Sequence, residues 1–279
     1  MVQFREEPIR RGTGAVTRKL VRLRVGLRTR RGGECWFRIV RKTIEPLTGG
    51  RHAALAGHPR HWAYWPRESH AYRSGLLPVG PGLRAPRCFG VVGSHIFLEQ
   101  VDGAPPSVRQ AAEHLAAWQV DYDRSLDQWW LARDQLGRRV EVTELDWAGL
   151  DADPRLVDLW GHRYQLHERL EQLPLVLSHG DYSMGNLVAQ GADTVALDWA
   201  TLGWEPVGFD VAHLALSTGE DPTDAYMAAT PSRHPADVVN LGFQTALVII
   251  GASRLHWMLS QGLDVPAWYV QFVCERDPR

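Results

Sequence analysis

Apolar and polar positions along this chain fall into two regimes. From Leu20 to Leu27, Val21, Leu23, Val25 and Leu27 alternate with Arg22, Arg24 and Gly26, the period-two pattern of a half-buried strand. Together with the stretch from residue 8 and the return from Cys35 to Ile44, this predicts three antiparallel strands over 8–44. Their turns are Arg11-Gly12-Thr13-Gly14-Ala15 and Arg30-Arg31-Gly32-Gly33. Val91-Val92 and His95 to Leu98 flank Gly93-Ser94, a two-residue turn, and add two more strands. Between these groups Pro66 opens a helix, with Ala71, Tyr72, Gly75 and Leu76 at helical spacing.

Beyond Pro105-Pro106 the period changes. Ser107 caps a helix to Val120 carrying Val108, Ala111, Ala112, Leu115 and Trp118, and residues 123–136 and 154–173 read as helices too. Another helix starts at Asp210, and Val238 to Ser260 is long and apolar on most sides, hence buried. Three short apolar runs interrupt the helices: Leu175 to Leu177, Leu187 to Ala189 and Val195 to Leu197. They read as buried strands, the last two joined by a turn at Gly191-Ala192-Asp193. The expected class is α+β. An antiparallel sheet with one helix fills residues 1–98, and a mainly helical lobe fills residues 99–279.

The polar residues between those short strands carry the chemistry. His179-x-Asp181-x4-Asn186, with Asp198 twelve residues on, places two carboxylates and an amide on loops at strand ends. The chain holds 12 His, 18 Asp and only two Asn, so composition alone would produce this spacing about 0.006 times. Phosphoryl transfer needs such a set: one carboxylate for the acceptor hydroxyl, and an amide with a second carboxylate as hard oxygen donors for Mg²⁺.

HGDYSMGN followed by LDWATLGWEPVGFD resembles the catalytic and metal loops of the aminoglycoside phosphotransferase and choline kinase family, whose fold is protein-kinase-like and bilobal. His179, Gly180, Asp181, Asn186, Leu197, Asp198, Trp199, Gly203, Pro206 and Asp210 fit the family pattern; Met184 stands where many members have Pro. The resemblance implies that Asp181 is catalytic and that Asn186 and Asp198 bind Mg²⁺. His179 and Asp210 would brace the loop. It also bears on the first regime. Gly12-Thr13-Gly14, alone as compatible with a plain hairpin as with a phosphate cover, resembles the nucleotide-covering loop. Lys42 resembles the phosphate-pairing lysine, with Arg41 its rival should the register slip by one, and Glu68 its ion-pair partner. Leu98 would line the base pocket, and main-chain groups at Glu99 and Val101 would bond the base. ATP is the expected donor, GTP being open as well.

Composition narrows the alternatives. Only two lysines, Lys19 and Lys42, stand against 29 Arg, so a lysine kept at a strand end suits a compact point charge on phosphate. Residues 1–95 carry 19 Lys and Arg against 5 Asp and Glu, yet the arginines are scattered through strands without a recognition-helix or aromatic RNA-binding pattern, so no nucleic-acid partner is expected. Cys35, Cys88 and Cys274 are far apart and suggest neither disulfides nor zinc. No apolar run approaches the ~20 residues of a membrane span, and the start MVQFREEPIR is unlike a signal peptide. A cytoplasmic enzyme is expected, without a membrane partner; its oligomeric state is open. Between Asp102 and Glu171, 14 Asp and Glu face 8 Lys and Arg, among them Asp121, Asp123, Asp127, Glu141, Glu144 and Asp146. They suggest a small-molecule acceptor bearing an amine, such as an aminoglycoside-like antibiotic or an amine or sugar metabolite. The alternative is a catalytically inactive, nucleotide-binding regulator. Asp198 follows an apolar run and has few local cations to pair with except a metal.

Overall fold

The structure, a computed structural model, describes residues 2–9, 16–28, 34–50, 52–120, 124–142, 144–230 and 233–279. The chain divides into two compact units. One comprises Met1–Ala104, Gln128–Leu131 and Val188–Leu202; the other comprises Pro105–Asp127, Ala132–Leu187 and Gly203–Arg279. The sequence suggested one boundary, between residues 98 and 99; the chain instead crosses several times, because the strand Asp193–Ala196 hydrogen-bonds to Leu83–Arg84 of the first unit.

The first unit is built on a five-stranded antiparallel sheet, in the order Val2–Pro8, Thr17–Arg28, Glu34–Ile44, His95–Glu99, Cys88–Val92. Its first strand lies earlier than the reading from residue 8 suggested, pairing Glu6 with Leu23 and Pro8 with Val21. The register sets Lys42 opposite Leu20 on one side and Ile96 on the other. Period-two alternation then puts Lys42 on the face of Ile44, Ile96 and Leu98, which are all buried. Arg41 points to the opposite face and pairs with Glu6, Nη1 to Oε1 at 3.1 Å. The choice between the two neighbours therefore falls on Lys42. Trp65, Tyr72, Cys88 and Val91 pack on the same apolar cluster. Tyr72 comes from the helix Arg67–Ser74, which follows Pro66 and stops at Gly75 in the left-handed conformation.

In the second unit a small sheet, Ala132–Arg133 beside Gly203–Pro206 beside Leu175–Ser178, is surrounded by helices. The helix expected over 123–136 is not formed: a short 3-10 turn at Arg124–Leu126 is followed by the strand Ala132–Arg133. Tertiary pairing overrides the helical pattern there. Gly203 approaches Ala132 so closely that a Cβ would meet the Ala132 carbonyl oxygen at 2.5 Å, and Asp134 takes a positive φ of 52°. The helix expected over 154–173 is two, Pro154–Gly161 and Arg163–Glu171, broken at His162 (φ −92°, ψ 10°). Ser107 caps Val108–Val120 as expected, its Oγ accepting the Gln110 N–H at 3.1 Å.

The 25-residue helix Ala236–Ser260 forms the centre of this unit. Contrary to the sequence expectation, it is long and apolar enough to cross a membrane by length and composition, but 67% of its most apolar window is buried within the fold. It packs against the helices Phe209–Thr218, Pro154–Gly161 and Arg163–Glu171 as a core helix does.

Candidate active site

The residues singled out by the motif fall into two clusters, one in each unit. In the first unit, the Lys42 ammonium lies 2.6 Å from Glu68 Oε2 and 2.7 Å from Asp198 Oδ1. Lys42 and Glu68 are buried, and the Asp198 side chain is 28% exposed. Burial would depress the Lys42 pKa, but Asp198 and Glu68 outweigh it and hold the value above that of an ordinary lysine. Burial, opposed by Lys42, raises the pKa of Glu68. Asp198 has few cations near it in sequence, but a contact across 156 residues brings the Lys42 ammonium to it.

Asp198 has a left-handed backbone (φ 61°, ψ 68°), an uncommon state for a residue with a Cβ. It starts the 3-10 turn Trp199–Thr201, whose fully buried Trp199 donates its indole N–H to the Ala196 carbonyl at 2.8 Å. Leu98 is buried on the face of Lys42. The Glu99 carboxylate pairs with Arg84 at 2.6 Å, and its N–H donates to the Arg87 carbonyl at 2.9 Å, so only its carbonyl is a candidate for a base. Val101 lies in the irregular segment after that strand. Gly12 and Gly14 lie outside the described residues.

The second cluster follows the strand Leu175–Ser178. His179 and Gly180 turn sharply, Gly180 at φ 87°. The buried Asp210 carboxylate accepts both of their N–H groups, from His179 at 2.7 Å and from Gly180 at 2.9 Å. The Gln119 amide approaches the same carboxylate at 3.4 Å, and its oxygen accepts the Tyr226 hydroxyl at 2.6 Å. Burial pushes the Asp210 pKa up to about 7 against these backbone bonds. Asp210 therefore braces the loop, as the resemblance implied.

Asp181 emerges from this turn with its side chain about half exposed (48%). The Asn186 amide nitrogen donates to Asp181 Oδ2 at 3.0 Å and to the Asp181 carbonyl at 2.9 Å, and His213 Nδ1 lies 3.3 Å from Oδ1. Burial alone would raise the Asp181 pKa; His213, His179 and Arg254 overcome it and bring the value down to about 2. The carboxylate is thus ionised and accessible, as a group that receives a hydroxyl proton must be. The Asn186 amide nitrogen is spent on Asp181, so its oxygen is the atom that can serve a hard cation. Met184 gives its N–H to Ser217 Oγ at 2.9 Å, a bond that the family's more usual Pro could not make.

His213 escaped the sequence reading. The available signal was its place one helical turn after Asp210 on the helix Phe209–Thr218, which turns both side chains inward. The carboxylates proposed for an acceptor cleft are largely occupied locally. Asp127 pairs with Arg133 and accepts the Trp204 indole N–H at 3.1 Å; Glu141 pairs with Arg138 at 3.1 Å; Asp146 accepts the Ala148 N–H at 2.9 Å. Asp121 and Asp123 lie outside the described residues.

Among the described residues no three His, Cys, Asp or Glu side chains form a ready metal cage. Mg²⁺ does not require one, since it keeps several waters and takes one or two protein oxygens together with substrate phosphates. The half-open carboxylate of Asp198 and the amide oxygen of Asn186 are donors of that kind.

The model of the phosphotransferase enzyme family matches residues 93–234, a span that contains Asp181, Asn186, Asp198 and Asp210. No curated protein matches the chain by sequence. In structure the chain is similar to aminoglycoside 2'-phosphotransferase-IIIa in its GDP complex, with 14% identity, a TM-score of 0.58, and 100% of this chain and 93% of that one covered. It is similar also to choline kinase from Cryptosporidium parvum Iowa II (11% identity, TM-score 0.56, covering 98% of this chain and 88% of that one). A third likeness is to a type I macrolide 2'-phosphotransferase (13% identity, TM-score 0.56, covering 97% and 89%). At these identities the likeness is one of fold, the kinase-like fold with an antiparallel N-terminal sheet and a helical C-terminal region.

Proposed function

Because the chain belongs to the phosphotransferase enzyme family, we propose that it moves the γ-phosphate of ATP, or of GTP, to a hydroxyl of a small molecule with Mg²⁺ as cofactor. The observation that carries this reading is the state of Asp181: ionised, half exposed, and oriented by His213 and Asn186. A carboxylate in that state orients the acceptor hydroxyl and takes its proton as the oxygen attacks phosphorus. Lys42, fixed by Glu68, supplies positive charge to the nucleotide phosphates. Asp198 and Asn186 would hold Mg²⁺, which when bound would supply positive charge against the charge that develops on the phosphates. Leu98 lines the base pocket, the main chain at Glu99 and Val101 bonds the base, and Gly12 and Gly14 belong to the loop covering the phosphates.

For the acceptor we propose an aminoglycoside-like antibiotic or an amine or sugar metabolite. Two things support an amine: the excess of acidic residues from Asp102 to Glu171, and the cationic alcohols named for two of the structural neighbours, an aminoglycoside and choline. A nucleotide-binding regulator without catalysis is the alternative; it would have no use for an accessible, ionised Asp181.

The test is ADP or GDP release with Mg²⁺ and either nucleotide across a panel of hydroxylated antibiotics and amine or sugar metabolites. Asp181→Asn serves as control. Turnover that depends on acceptor and on Asp181 supports the reading; nucleotide binding without turnover on any acceptor favours the regulator.

A further inference from the structure

Arg67 is fully buried, one residue before Glu68. A guanidinium has five N–H donors, and here each goes to a different main-chain carbonyl. Nε donates to Trp130 at 2.9 Å; Nη1 to Trp62 at 2.7 Å and to Ala200 at 3.1 Å; Nη2 to Pro59 at 2.6 Å and to His61 at 2.7 Å. The nearby loop at Pro59, His61 and Trp62 and two segments distant in sequence are thereby tied to the start of the helix that carries Glu68. One of them is the turn after Asp198.

These contacts close a ring. Glu68 holds Lys42, Lys42 holds Asp198, and the chain runs two residues on to Ala200, whose carbonyl returns to Arg67 beside Glu68. Asp198 sits in this ring with a backbone conformation that its surroundings must impose (φ 61°). Trp199 grips one side of the turn through Ala196, and Arg67 grips the other through Ala200. We propose that Arg67 is a positioning residue for metal binding: it fixes the Asp198 turn against the Glu68 helix, so that the Asp198 carboxylate is held ready for Mg²⁺ with bound nucleotide. This rests on the functional reading above, which makes Asp198 a metal ligand. Lysine cannot replace Arg67, because an ammonium has three donors and no planar fork.

The test is Mg²⁺ titration of the thermal shift produced by ADP, in wild type and Arg67→Lys, with the shift in EDTA as reference. The half-saturating Mg²⁺ concentration should rise about tenfold or more in Arg67→Lys, in line with losses of partners behind metal ligands, while the shift in EDTA stays within about twofold of wild type. If Arg67→Lys does not fold, Thr201 is replaced by its α-hydroxy acid. The resulting ester weakens the Ala200 carbonyl as acceptor and leaves the other four bonds intact; a several-fold rise in half-saturating Mg²⁺ is expected. A lower melting temperature with an unchanged Mg²⁺ requirement, in whichever variant folds, overturns the proposal alone. A wild type without any Mg²⁺-dependent shift removes the functional reading, and this inference with it.

Discussion

His213 Nδ1 lies 3.3 Å from Asp181 Oδ1, and this buried imidazole does more than any other group to keep the carboxylate ionised. Burial lowers the pKa of His213 itself, Asp181 opposes that, and Arg254 and Arg139 add to it. Burial thus favours the neutral form of His213, whose Nδ1 faces Asp181 Oδ1 without a well-formed hydrogen bond. In His213→Gln the Asp181 pKa should climb from about 2 towards the value that burial favours. The acid limb of the kcat–pH profile should then move up by about one unit or more. Profiles that superimpose would deny His213 this role.

Asp181 and Lys42 should separate by kinetics. Asp181→Asn should lower kcat by orders of magnitude with near-normal nucleotide affinity, because the carboxylate meets only the acceptor. Lys42→Met should weaken binding and turnover together. It should also cost roughly 3–5 kcal/mol of stability, since Glu68 is left buried without its cation. The Lys42 pKa is raised on folding, so its contribution is fully present below the unfolded value of 10.5 and is lost only as pH rises through the folded value. In Lys42→Met, burial no longer opposed by Lys42 raises the Glu68 pKa further, so the variant loses stability as pH climbs and the deficit should be larger at pH 8 than at pH 6; urea unfolding at the two values checks it.

Asp210 titrates in the opposite sense from a paired carboxylate. Its pKa rises from 3.8 to about 7 on folding, so its contribution to stability is full below 3.8 and is lost as pH climbs towards 7. The loss amounts to a few kcal/mol in order of magnitude. The wild type should lose stability between pH 4 and pH 7, and Asp210→Asn should flatten that slope while lowering stability at pH 4 through the disturbed His179 and Gly180 bonds. Equal slopes in the two proteins would show that Asp210 does not titrate there.

Removing Asp198 should abolish the Mg²⁺-dependent part of nucleotide binding. In Asp198→Ala the thermal shift by ATP in EDTA should persist, and the increment from Mg²⁺ should vanish. An increment equal to the wild type's would put the metal elsewhere.

The acceptor's charge can be read from salt. An amine-bearing acceptor should show a KM that rises with ionic strength while kcat holds. Asp127 and Glu141 already pair with arginines, which limits their share in that effect. A best substrate that is neutral or anionic, with a KM indifferent to salt, would reduce the acidic excess to ordinary surface.

What could be read in the sequence was local. His179, Asp181, Asn186 and Asp198 lie within twenty residues, and the short strands around them are flanked by their own turns, so spacing alone suggested the chemistry. The scarcity of lysine and the resemblance pointed to Lys42 over Arg41, and pairing with Leu20 and Ile96 puts it on the buried face. Contacts between distant segments were not legible. The 123–136 stretch has a helical pattern that pairing with Gly203 and Trp204 overrides. Arg67 looks like one more of 29 arginines until its five carbonyl partners, drawn from residues 59 to 200, are seen. His213 went unnoticed because its partner, Asp181, lies 32 positions earlier.

The shortage of lysine has a practical corollary for chemical labelling. Lys19 is exposed, whereas Lys42 is buried between two carboxylates and held protonated, without a lone pair to attack an electrophile. Ordinary amine-directed reagents should thus modify Lys19 and the N-terminal amine and spare Lys42. The protein can then be immobilised or dye-tagged through amines with its phosphate-binding charge intact.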